Sequence, residues 1–140
     1  MTEGSAVEAL LERARARLER VTPEQAAMAA LVDGAVIVDI RSESQRARDG
    51  VIPGSVFIAR NVLEWRCDPG SGAHDERVSG AERAQIVMCD AGFQSSLAAA
   101  VLQDLGLARA TDMIGGFQAW QAAGLPVIPE GEEEVSEHPR

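Results

Sequence analysis

Apolar and polar residues fall in blocks along this chain, and their period changes from block to block. Val7, Leu11, Ala14 and Leu18 recur at steps of four, three and four, the spacing of one helical face. Glu8, Glu12, Arg13, Arg17 and Glu19 lie mainly outside that stripe, so residues 1–18 read as a solvated amphipathic helix packed on a core by its leucines. After a brief extension near Val21, Thr22-Pro23-Glu24-Gln25 offers a cap, a proline suited to the first helical position and the partner of a capping box. A helix runs from there to about Leu31. Ala35 to Ile40 is apolar and rich in branched residues, follows Asp33-Gly34, and reads as a strand buried on both faces. Ser42 caps a short helix to about Arg48, Gly50 to Gly54 is a turn, and Val56-Phe57-Ile58 is a short buried strand. A helical turn covers Asn61 to Trp65, and the polar, glycine-rich stretch from Asp68 to Gly80 is a surface loop.

The second half repeats the alternation. Gln85 to Met88 is a buried strand that runs into Cys89-Asp90-Ala91-Gly92-Phe93-Gln94-Ser95-Ser96 and then into a helix. Leu97, Val101, Leu102 and Leu105 supply that helix's apolar face, and Gly106 stops it. Ala110 to Ile114 is a further strand, broken by Gly115-Gly116, and Phe117 to Ala123 is a last helix stopped by Gly124 and Pro126. From Pro129 on, glutamate, serine, proline and glycine dominate, the composition of a disordered acidic tail. The organisation is therefore a helix over 1–18, one domain over 19–128 and a tail over 129–140.

Strands separated by helices pair in parallel through crossover connections, which gives an α/β fold with helices on both faces of the sheet. In such sheets ligands sit beyond the carboxyl ends of the strands, where Cys89 lies.

Composition narrows the functional classes. A formal charge of -9 on 140 residues opposes a nucleic-acid partner and an anionic membrane surface. No apolar run approaches a membrane span, and Met1-Thr2-Glu3-Gly4 lacks the order of a secretory signal. The expectation is a soluble cytosolic protein whose two cysteines, Cys67 and Cys89, are free thiols. With His74 and His138 as its two histidines and no cysteine pair at ligand spacing, the chain calls for no metal and no other cofactor.

Cys89 is the candidate nucleophile. It ends a buried strand, so its backbone is fixed, and it precedes a helix whose free N–H groups favour an anion. Gly92 lets the loop curl so that several amides point at one sulfur. A thiolate or a persulfide, R–S–S⁻, is held equally by such donors. A cysteine at a strand end is ordinarily a small buried hydrophobe, and topology alone does not separate the two readings.

The motifs do. Cys89-Asp90-Ala91-Gly92-Phe93-Gln94-Ser95 resembles the Cys-x-x-Gly-x-Arg-Ser loop of the rhodanese-like family through Cys89, Gly92 and Ser95. Val38-Asp39-Ile40-Arg41 resembles that family's Asp-x-Arg strand end, and Gly50-Val51-Ile52-Pro53-Gly54-Ser55 its Gly-His-Ile-Pro-Gly-Ala turn. Gly115-Gly116-Phe117-Gln118-Ala119-Trp120 with Gly124-Leu125-Pro126-Val127 resembles its Gly-Gly-x-x-x-Trp…Gly-x-Pro-Val close. The likeness covers about Val21 to Val127. It implies an open, mainly parallel five-stranded sheet and sulfurtransferase chemistry. A sulfane donor such as thiosulfate would load Cys89, and a thiol or cyanide would take the sulfur away. The implied partners are a small sulfur-containing anion or thiol, or a protein serving as sulfur donor or acceptor, with no nucleic acid and no membrane. The loop from Asp90 to Ser95 is the implied anion-binding site, with Asp39 and Arg41 pairing as a brace.

Two positions depart from the family pattern. Val51 replaces a histidine, read as a packing change. Gln94 replaces the loop arginine and offers a neutral amide where the family has a charged fork. One lost charge-assisted hydrogen bond is worth on the order of 1.5–3 kcal/mol, roughly ten- to hundredfold in donor use. Arg41, Arg60 and Arg66 are candidates to restore charge nearby. Gln94 also favours an alternative, a weak or inactive module that binds a protein partner or small anion. A cysteine phosphatase is set aside, because that chemistry needs an arginine at the position of Ser95. Of the remaining groups, Cys67 reads as a bystander thiol in a loop, Asp90 as facing solvent, and Ser95 and Ser96 as caps or loop donors. Trp65, Phe93 and Trp120 read as core or pocket walls.

Overall fold

Local capping chemistry starts the first three helices. Ser5, Thr22 and Ser42 each accept from a backbone N–H three residues on, and Glu8, Gln25 and Gln45 return the bond to the cap. These boxes open α1 (Ala6–Ala16), α2 (Pro23–Val32) and α3 (Glu43–Asp49). The structure, a computed structural model, describes residues 4–132. Most of the expected acidic tail, from 133 on, lies outside the described residues.

Between the helices run β1 (Val36–Asp39), β2 (Val56–Phe57), β3 (Gln85–Met88) and β4 (Thr111–Asp112). They form one parallel sheet in the order β2-β1-β3-β4. A 3-10 turn over Arg60–Val62 leads into α4 (Leu63–Cys67), and α5 (Gln94–Asp104) and α6 (Gly116–Ala122) complete the chain.

The sheet has four strands where five were expected. At the fifth position Val21 makes a single parallel bridge to Met113, donating to Asp112 O at 3.1 Å and accepting from Ile114 N at 2.8 Å. Thr22 is already committed to capping α2 and Pro23 has no N–H, so the ladder cannot lengthen. Val51 is fully buried and pairs with Ile128 in an antiparallel bridge that ties the C-terminal segment to the turn.

Alternation along β1 and β3 divides the core. Val36, Val38, Ile40, Val87 and Cys89 face a layer built with Leu63, Ala98, Ala99 and Leu102. Ile37, Ile86 and Met88 face Ala26, Met113, Phe117 and Trp120. The face of α5 that enters the core is Leu102, as expected, with the small Ala98 and Ala99, whereas Leu97 and Val101 are half-buried and Leu105 is exposed. The expectation from leucine spacing is corrected here: alanines bring α5 close to the sheet, and Leu97 and Val101 turn toward a groove shared with α1. On α1 itself Ala14 is buried, as is Leu18 just beyond its end, but Val7 is exposed, because α1 is fastened to α5 by polar pairs as much as by leucines. Arg17 Nη2 donates to Ala100 O at 3.1 Å and to Asp104 at 2.6 Å.

Candidate active site

Strand β3 ends at Met88, and the next residue begins the loop to α5. Cys89 is 8% exposed and receives two backbone amides on Sγ, from Gly92 at 3.2 Å and from Ser95 at 3.3 Å. Gly92 adopts φ +90°, and a Cβ there would stand 2.7 Å from Gly115 N, so both the curl and the close approach require glycine. On the far side α6 grips the loop, with Phe117 N donating to Cys89 O at 2.8 Å and Gln118 N to Asp90 O at 3.1 Å. Carbonyls held outward leave N–H groups free to converge on the sulfur, the arrangement of an anion nest.

The open side of Cys89 faces a pocket of about 290 Å³ lined by Ile40, Arg41, Asp90, Ala91, Phe93 and Gln94, among others. A larger groove of about 750 Å³, lined by Leu31, Ile37, Ile52 and Trp120, does not include the cysteine. Chemistry, not size, marks the smaller one.

The brace expected at the end of β1 is present as a buried network. Asp39 accepts from Arg41 Nη2 at 2.8 Å and Nε at 3.1 Å, and from Arg46 Nε at 3.2 Å. Arg41 also donates to Gly50 O at 2.8 Å and lies 3.9 Å from the Phe117 ring centroid, which joins β1, the turn and α6. Arg60 reaches the mouth, its Nε 3.2 Å from Gln94 Oε1, while its Nη1 pairs with Glu64 at 3.0 Å. Arg66 does not join them; it donates to Ala73 O.

Several expectations are corrected. Asp90 is half-buried rather than turned to solvent, because Gln118 Nε2 donates to its Oδ2 at 2.7 Å. Ser95 and Ser96 do not cap α5; both hydroxyls donate to Asp112 Oδ2 at 2.7 Å. Trp120 is buried and Phe93, though 59% exposed, walls the pocket at Cys89, as expected, whereas Trp65 is 58% exposed and lies in neither the core nor that pocket. Cys67 ends α4 and is fully buried, not in a loop. Burial first, then the Asp75 and Glu64 carboxylates, push its thiol up to about 12. Both cysteines are free.

Arg15, Arg20 and Asp112 escaped the reading of the sequence. Asp112 is completely buried at the end of β4 and pairs with Arg20 Nε at 2.8 Å. Arg15 and Arg20 both donate to Gly92 O, at 2.7 and 3.1 Å. Partial burial, and then Arg20, draw the Arg15 guanidinium below its ordinary value, while Asp112 and Cys89 act in the other direction. Two signals were available: Arg15 lies on the Leu11–Leu18 stripe itself, and Asp112 interrupts an apolar strand, where a charge needs a partner.

The Rhodanese-like domain profile matches residues 23–123, more than half of the chain. The chain belongs to the rhodanese-like family. It is 35% identical over 104 residues to the thiosulfate sulfurtransferase GlpE of Pseudomonas putida strain GB-1, covering 74% of this chain and 86% of that protein. A sulfurtransferase of Allochromatium vinosum is 29% identical over 97 residues, 69% of this chain and 81% of that protein. Among solved structures, a Rhodopseudomonas palustris protein of unknown function, named as a possible tyrosine phosphatase, aligns with TM-score 0.80 and 34% identity over 91% of this chain and 98% of its own. The rhodanese-like motifs have clear structural work here. Asp39 and Arg41 fasten the turn at Gly50, and Gly115-Gly116 lets α6 approach the loop that carries Cys89.

Proposed function

We propose that this rhodanese-like protein is a sulfurtransferase that carries sulfane sulfur as a persulfide on Cys89. The observation that carries this reading is the pair of amides on Sγ, at 3.2 and 3.3 Å, in a fixed loop at a pocket mouth. Donors so placed favour an anionic sulfur over a neutral thiol, and they suit the anionic persulfide as well. With thiosulfate as donor, the Cys89 thiolate attacks the sulfane sulfur and a new S–S bond forms. The sulfur–sulfur bond of thiosulfate breaks, and sulfite leaves with the electron pair. In the second half-reaction a thiolate or cyanide attacks the outer sulfur and departs as a persulfide or thiocyanate, returning the Cys89 thiolate. Covalent catalysis of this kind gives ping-pong kinetics. Free thiols at Cys67 and Cys89 fit the reducing conditions of a cytoplasm. Among the described residues no helix is long and apolar enough to cross a membrane.

Gln94 sets the terms of donor use. It brings a neutral amide to the loop but holds Arg60 at 3.2 Å, so a cation stands at the mouth although the loop has none. Because Arg60 is already paired with Glu64, the second reading is a module that binds an anion or a protein partner without turnover. Phosphoryl transfer is the weaker fit, since Ser95 stands where that chemistry needs an arginine.

Intact-protein mass spectrometry after incubation with thiosulfate tests the proposal, with Cys89→Ala beside the wild type. A gain of one sulfur mass on the wild type alone, removed by cyanide or a thiol, is the expected result. No gain with thiosulfate or any other sulfane donor would leave the binding module as the better account.

A further inference from the structure

The span matched by the family begins at residue 23, yet two cations reach the nucleophile's loop from before it. Arg15, on α1, donates from Nη2 to Gly92 O at 2.7 Å and from Nε to Ser96 Oγ at 3.0 Å. Its guanidinium carbon also lies 5.5 Å from the Phe93 ring centroid. Arg20, in the link to α2, donates to the same carbonyl at 3.1 Å and grips Asp112 with two nitrogens, at 2.8 and 3.2 Å. Asp112 in turn takes the hydroxyls of Ser95 and Ser96, the first of which also places its N–H on the Cys89 sulfur.

Gly92 is thus held at both ends. Its N–H points to Sγ, and its carbonyl is clamped by two guanidinium groups. The charged neighbours of the site are few. Arg41 is paired with Asp39, Arg60 with Glu64, and Asp90 accepts from the neutral Gln118. Arg15, Arg20 and Asp112 together leave one positive charge beside a loop that lacks its usual arginine (two cations, one carboxylate).

We propose that Arg15 and Arg20 are positioning residues for Cys89: by holding the Gly92 carbonyl they fix that residue so that its N–H stays on the sulfur, and from α1 and the link after it they supply the positive charge that Gln94 does not. The inference rests on Cys89 being the reactive thiol, and it makes the first helix part of the site.

The test is the rate of iodoacetamide alkylation at Cys89 as a function of pH, read by peptide mass. It compares the full-length wild type with Arg15→Gln, Arg20→Gln, the double variant and Arg15→Lys. The expected result is a midpoint raised by about one unit in the double variant, roughly tenfold slower reaction near neutrality, with each single variant giving part of that shift. Arg15→Lys keeps the charge without the fork and recovers part of the loss. Arg17→Gln, which loosens α1 from α5 but touches no loop atom, leaves the profile in place. If the melting temperature falls while the profile does not move, the arginines only dock α1 and the proposal is overturned. An equal shift from Arg17→Gln overturns it as well. Should the double variant not fold, the single variants carry the same decision. Alkylation needs no sulfur donor, so a moved profile in a protein that never accepts sulfane sulfur would refute persulfide carriage and leave this inference standing.

Discussion

Replacing Gly116 by alanine tests how the loop is held in place. Gly116 has φ +62°, and a Cβ there would stand 2.7 Å from Asp90 O and in hard contact with Cys89 O. Both obstacles are backbone atoms, so no flexible side chain can give way. The left-handed backbone costs alanine about 1–2 kcal/mol. Pushing α6 back weakens the bonds from Phe117 N to Cys89 O, 2.8 Å, and from Gln118 N to Asp90 O, 3.1 Å. At about 0.5–1.5 kcal/mol each, the total comes to roughly 2–5 kcal/mol. Gly124 supplies the control, since it has φ +76° but open space around its Cβ, and Gly124→Ala should cost only the backbone part, about 1–2 kcal/mol. Urea titration with linear extrapolation measures both variants on one scale. Gly116→Ala should also slow alkylation of Cys89, because the displaced carbonyls no longer aim the loop amides. Equal stability losses in the two variants would refute the close-approach argument and reduce Gly116 to an ordinary turn glycine.

Three further outcomes are expected. Cys67, with its thiol pushed up to about 12, has roughly one part in ten thousand as thiolate at pH 8, so native protein should take a single alkyl group, on Cys89, and a second, on Cys67, only on unfolding; two fast additions to the folded chain would contradict its burial. Asp39→Asn leaves Arg41 and Arg46 without their shared carboxylate in the core and should destabilise by about 3–5 kcal/mol in thermal or urea melts; a loss under about 1 kcal/mol would show that the network is not structural. Gln94→Arg should raise the rate of sulfur loading from thiosulfate by roughly ten- to hundredfold, and Arg60→Gln should lower it in the native background; unchanged loading in both would remove charge at the mouth from the account of donor use.

Much of the frame was legible because its causes are local. The capping pairs Thr22–Gln25 and Ser42 with its helix, the limits of β3, and the stop at Gly106 depend on residues within a few positions of one another. The candidate nucleophile was legible for the same reason, since loop, glycine and helix start are contiguous. What stayed hidden is pairing across distance. Arg15 meets Gly92 from 77 residues away and Arg20 meets Asp112 from 92, and no periodicity records which guanidinium finds which oxygen. Asp90 was misjudged because its partner Gln118 comes from another helix, 28 residues on. On α5 the leucine pattern was right for Leu102 but misled for Leu97, Val101 and Leu105, because close helix–sheet packing selects alanine, which the stripe does not count.

If Cys89 carries sulfur as proposed, its shallow burial has a consequence for cargo. Its own sulfur is recessed, the residue being 8% exposed, under two amides and a rim that includes Phe93 and Gln94. A second sulfur bonded to it stands about 2.05 Å beyond the first, on the side left open by the pocket. The empty carrier would thus keep its reactive atom withdrawn from bulky electrophiles, while the loaded one presents its outer sulfur at the rim. Reach, set by one bond length, would sort the two states: slender anions can load the carrier, and larger thiols need approach it only once there is something to collect.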